Sequence, residues 1–148
     1  MLRDDILARS DLAAAVQARD CDALAAAMSV GRTRLVPRLV GERGILDVLG
    51  PVGGDSFLST LEAITLPELL PEPLRPYFGT IRRGVTWLHS EGLDVGSTTT
   101  RNLLDALVAT GVLSADAVGK IKALAEVPHD LTAREVAEAL YNDDGSLI

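Results

Sequence analysis

Apolar residues recur at three- and four-residue spacing along most of this chain, the period of helices with one buried face and not of half-buried strands. The pattern is most regular near the end. Ser97 is placed to cap "TTTRNLLDALVATG", where Leu103, Leu104, Leu107 and Val108 share a face and Gly111 is the stop. Ser114 caps "ADAVGKIKALAEV", with Val118, Ile121, Leu124 and Ala125 at matching spacing. Pro128 ends that helix, and Thr132 caps a last short one, "AREVAEAL". Short links predict an antiparallel hairpin followed by a docked arm.

Earlier in the chain the punctuation is denser. Ser10 is a candidate N-cap for a helix bearing Leu12, Ala13 and Val16, and Asp20 for one bearing Leu24 and Met28, which Gly31 ends. "RTRLVPRLV" loosely alternates β-branched and basic residues, but Pro37 lacks a donor, so an extended or edge segment is expected there. "GERGILDVLG" and "DSFLSTLEAI" read as two helices separated by a flexible joint, "GPVGG". Prolines at 67, 71, 73 and 76 then forbid a continuous helix. From Tyr77 to Glu91 a helix returns with Ile81, Val85 and Leu88 on one face and Trp87 off it.

The expected fold is therefore all-α: a small multi-helix domain with a C-terminal helical hairpin and a short extended, proline-containing segment. The proline run is the expected boundary, dividing the chain into a short-helix region (1–66), a connection (67–76) and a hairpin region with a terminal helix (77–148). With 148 residues and 47% hydrophobic composition the chain can bury a core without staples. Cys21 is the sole cysteine and has no disulfide partner, which fits a reducing, intracellular site of synthesis. "MLRDDILARSD" lacks the apolar core of a signal peptide, and no apolar run approaches the ~20 residues that span a bilayer, so no membrane insertion is expected.

Charge changes the reading of the hairpin, whose segment 103–124 has the outline of a DNA-binding helix-turn-helix. Net charge is −2 over residues 1–29, zero over 30–101 and −5 over 102–148. A DNA reader needs a basic face at its recognition element. Here the second helix offers only Lys120 and Lys122, two residues apart on different sides, and no Arg, Asn or Gln to pair with a base edge. Packing accounts for the pattern, and no specific nucleic-acid partner is expected.

Candidate chemistry is sparse. "HSEGLD" sets His89 near Glu91 and Asp94, but the only other histidine is His129 and no cysteine pair accompanies them, so a transition-metal site lacks its usual ligands and a solvated helix end is the simpler reading. "NDDGS" has the look of a calcium loop, yet the first ligand position falls on Leu140, leaving a polar turn. "GPVGGDS" has no lysine to make a phosphate cradle. Cys21 lies between Asp20 and Asp22, which disfavour a thiolate. No catalytic, cofactor-binding or metal residue is assigned, and the chain is not expected to be an enzyme.

Arginine is the exception. Twelve of fourteen basic residues are arginine, and Arg32, Arg34, Arg38 and Arg43 cluster in the neutral middle, followed by Arg82 and Arg83. Arginine suits planar, bidentate pairing at interfaces, so these six are the candidate partner-binding residues, against a carboxylate-rich protein surface. The competing explanation is GC-rich coding, which also enriches Ala, Gly and Leu.

"DLAAAVQARDCDALAAAMSVGRTR" and "GLDVGSTTTRNLLDALVATGVLSADAVGKIKALAEVPHDLTAREVAEALYNDDGS" together resemble a family of small, mostly uncharacterised proteins encoded among the structural and tail genes of tailed bacteriophages and prophages. The similarity covers roughly the first 35 and last 60 residues, pairing a glycine–aspartate turn with the hairpin and a polar tail, and brings no catalytic residues. What it implies is a virion-associated structural or accessory protein of tail, baseplate or connector, held in several copies by other phage structural proteins and without a cofactor. The alternative is a small acidic phage-encoded modulator of a host or phage protein.

Overall fold

A computed structural model describes residues 1–148. It is mostly helical, as the apolar period requires, with eight α-helices and four short strands. The helices are α1 (Leu2–Ala8), α2 (Ala13–Ala18), α3 (Cys21–Ser29), α4 (Glu42–Ala63), α5 (Phe78–His89), α6 (Thr98–Ala109), α7 (Ala115–Ala123) and α8 (Ala133–Leu140). The strands β1 (Thr33–Leu35) and β4 (Glu126–Pro128) pair, as do β2 (Leu39–Val40) and β3 (Leu93–Asp94), the latter antiparallel. No helix is long and apolar enough to cross a membrane.

Contacts gather into two compact units, one of residues 1–34 with 128–148 and one of residues 35–127. The division does not fall at the proline run. That run forms two 3₁₀ turns, Pro67–Leu69 and Glu72–Tyr77, and buries Leu70 and Leu74 in the core of the central unit. Proline stops an α-helix but tolerates 3₁₀ turns, and two leucines between prolines still find apolar partners.

In the terminal unit, Ile6, Leu24, Val136 and Leu140 are fully buried, with Leu12, Ala25 and Leu131 around them. The caps are partly those expected. Asp20 accepts from Ala23 N at 3.0 Å, and Thr132 forms a reciprocal capping box with Glu135, whose carboxyl is held below its ordinary value by the backbone and hydroxyl donors of Thr132. Ser10 instead lies inside a 3₁₀ turn, Ser10–Leu12, with no side-chain cap. Helix α1 carries Leu2, Ile6 and Leu7, of which only Ile6 is buried, too short a period to stand out. The arm α8 joins this unit and not the hairpin: Leu131 N donates to Ser29 Oγ at 2.8 Å, and Tyr141 OH to Val16 O at 2.8 Å. Burial pushes the Tyr141 hydroxyl pKa up. The tail is the expected polar turn, with Asp144 accepting from Ser146 N and Oγ, bonds that lower its pKa.

In the central unit, α4 is two arms. Gly50 takes φ 82° and ψ 167°, outside the helical region, and Pro51 opens the second arm, so the expected five-residue joint reduces to one residue. The arms fold back tightly enough that a Cβ on Gly54 would meet Leu46 Cα at 2.8 Å. Their apolar faces pack with α5, α6 and α7 around Ile45, Leu61, Ile81, Leu104, Leu107 and Ile121. Ser114 caps α7 through Ala117 N as expected, whereas Ser97 caps α6 by conformation alone. Helix α7 ends at Ala123, short of the Pro128 stop, because the chain turns into β4.

"GLDVG" has a structural explanation in this unit. Asp94 Oδ1 accepts from Arg38 N and from Gly96 N, both at 3.0 Å, and Val95 N donates to Arg38 O at 2.9 Å, extending the β2–β3 pair. The segment 35–40 is thus edge strand interrupted at Pro37, as Pro37 implied.

An apolar void of about 30 Å³ lies between α5 and α6, lined by Ile81, Gly84, Leu88, Leu103 and Leu107 among others. A Cβ on Gly84 would meet only Leu93 Cδ1, at 3.7 Å. Gly84→Ala should therefore stabilise the protein by about 1 kcal/mol, from helix propensity together with filled space. Urea denaturation measures it, and a lower midpoint would show that the void is not available to a methyl group.

Candidate functional site

The six singled-out arginines fall in both units: Arg32 and Arg34 in the terminal unit, Arg38, Arg43, Arg82 and Arg83 in the central one. All are exposed except Arg32, which is half-buried. No side chain of the six makes a hydrogen bond or ion pair within the chain. Other arginines are engaged: Arg101 bonds Val95 O, Lys122 O and Glu126, Arg9 pairs with Asp11 at 2.6 Å, and Arg134 with Glu138 at 2.7 Å. The backbone beneath the free guanidinium groups is nonetheless tied. Arg32 O accepts from His129 N, Val36 N donates to Ala125 O, and both backbone groups of Arg38 are bonded. Exposed leucines accompany them in sequence, Leu35 and Leu39, the latter 61% exposed.

The hairpin lysines are not comparably free. Lys120 pairs with Asp116 at 3.2 Å and Lys122 with Asp105 at 2.7 Å, so each cation of the second helix already has an acidic partner.

A second cluster comes from residues that sequence spacing does not connect. His89, at the end of α5, is approached by Glu42, at the start of α4, and by Glu62, near its end. Glu42 Oε1 lies 2.5 Å from His89 Nδ1, and Glu62 Oε1 lies 3.5 Å from Nε2. In a straight helix, twenty residues would hold the two carboxylates about 30 Å apart. The break at Gly50 brings both to one ring. His89 was expected beside Glu91 and Asp94, but Asp94 is committed to the β2–β3 turn. The only sequence signal for the actual pairing is the glycine joint, which permits a fold-back without specifying its direction.

The protein is mostly helical and carries two features at its surface: guanidinium groups with no internal partner, and an imidazole between two carboxylates. Comparison with family models, curated proteins and solved structures finds no match.

Proposed function

We propose that the protein is a virion-associated structural or accessory component of a tailed bacteriophage, made in the bacterial cytoplasm and assembled in several copies onto other phage structural proteins. The observation that carries the assembly reading is the set of six arginines with no intramolecular partner, above all Arg38, whose backbone is fixed on both sides while its guanidinium is exposed. A fixed backbone lowers the ordering cost of presenting a planar cation to a carboxylate. The phage setting rests on the resemblance of the N- and C-terminal segments.

The test is occupancy in particles. Replacing Arg32, Arg34 and Arg38 by Ser should change folding stability by under about 0.5 kcal/mol each, because none supports the fold. Incorporation should fall, since a carboxylate left desolvated without its cation costs roughly 2 to 5 kcal/mol per contact. Thermal melting beside quantitative mass spectrometry of purified virions reads both. Unchanged occupancy reduces the arginines to coding bias, and absence of the wild-type protein from virions overturns the structural reading in favour of an acidic modulator.

A further inference from the structure

We propose that His89 and Glu62 form a site for a divalent transition-metal ion, with Glu42 holding the imidazole in place. A neutral imidazole carries one N–H. With the ring neutral and its proton on Nδ1, the nitrogen 2.5 Å from Glu42 Oε1, Nε2 presents a lone pair toward the Glu62 carboxylate. Two acceptors then face each other at 3.5 Å, longer than the 2.7–3.2 Å of an N–H···O bond. That spacing instead suits two ligands of one tetrahedral ion: bonds of about 2.1 Å set ligand atoms about 3.4 Å apart. Glu42 stands where the carboxylate of a carboxylate–histidine–metal arrangement stands, fixing the tautomer and aiming Nε2.

Charge points the same way. Neither Glu42 nor Glu62 is paired with a lysine or arginine, and one ligand atom from each of the three residues lies within 4.8 Å of the others. The site therefore gathers two carboxylates around a ring whose only compensation is a proton or a bound cation. An imidazole–carboxylate pair selects zinc, cobalt or nickel over magnesium and calcium, which prefer all-oxygen shells. The side chains are 40% (His89), 45% (Glu42) and 54% (Glu62) exposed, so water can complete the coordination. A bound ion would tie the end of the second α4 arm to the end of α5.

The experiment is calorimetric titration of the full-length, metal-free protein with Zn²⁺, and of the same protein with Co²⁺ followed by its ligand-field absorption. One equivalent of Zn²⁺ should bind, and Mg²⁺ should not compete. His89→Ala and Glu62→Gln should each weaken binding at least about tenfold, and Glu42→Gln by about 10- to 100-fold, the loss typical of an orienting partner. Glu91→Gln and His129→Ala, outside the cluster, should leave the affinity unchanged. Circular dichroism checks the fold of each variant, and the near-isosteric Glu62→Gln decides the matter if His89→Ala is unstable. No Zn²⁺ binding by the wild type, or binding undiminished in folded Glu62→Gln, overturns the site. Neither outcome bears on particle occupancy, so this proposal and the assembly reading fail separately.

Discussion

Removing residues 128–148 should unfold the first 34 residues, although none of those 34 is deleted. Helix α8 supplies Val136 and Leu140, both fully buried, and Leu131 completes the same cluster around Ile6 and Leu24. Without them α1 and α3 expose their apolar faces, and isolated helices of seven and nine residues are too short to persist in water. The Ser29 and Tyr141 hydrogen bonds go with the arm. In the intact chain, Leu140→Ala alone should cost about 2 to 5 kcal/mol, a large part of the roughly 5 to 15 kcal/mol that holds a typical domain. Amide hydrogen exchange at Ile6 and Leu24 reads the effect directly. Protection retained there after truncation would mean that the N-terminal helices form a self-sufficient core.

Gly96→Ala should be among the most damaging single methyl additions in the protein. A Cβ on Gly96 would overlap the carbonyl of Val36, and neither side can yield. Val36 is held by its N–H on Ala125 O at 2.9 Å, and Gly96 by its own N–H on Asp94 Oδ1, the oxygen that also accepts from Arg38. Relief of the overlap must break one of these bonds or part the β2–β3 pair. The expected cost is about 3 kcal/mol or more, at the upper end of overpacking effects. Gly119→Ala is the internal comparison: it lies in α7 with nothing within 4 Å of an added Cβ, so the same change there should stabilise by about 1 kcal/mol. Chemical denaturation of the pair measures both, and equal midpoints would refute the backbone contact at Gly96.

Helix identity was legible wherever a cap, an apolar stripe and a stop occurred together. Asp20, Ser114 and Thr132 cap as their positions imply, and Gly111 ends α6 with φ 77°. These are local interactions, decided within a turn of the residues that make them. Legibility failed where partners are distant. The proline run looked like a boundary because proline's effect on its own backbone is local and certain, whereas the burial of Leu70 and Leu74 depends on helices elsewhere in the chain. The grouping of α8 with α1 and α3, in place of α6 and α7, is likewise invisible to periodicity, since an amphipathic helix states which face it buries but not against what.

The candidate sites divide in the same way. Arginine content and its clustering at Arg32–Arg43 are properties of the sequence. That these guanidinium groups lack internal partners while Arg101 has three is a property of the fold, because pairing depends on which carboxylates and carbonyls come within a few ångströms. The cluster at His89 is tertiary throughout. By itself, the sequence determined a mostly helical chain with three of its caps, an edge segment broken at Pro37 and an acidic hairpin, all consequences of backbone chemistry and short-range spacing. Only the tertiary structure decided the two units, the close approach at Gly96 and the meeting of Glu42, Glu62 and His89, because each depends on which of several permitted fold-backs buries the most apolar surface with its polar groups satisfied.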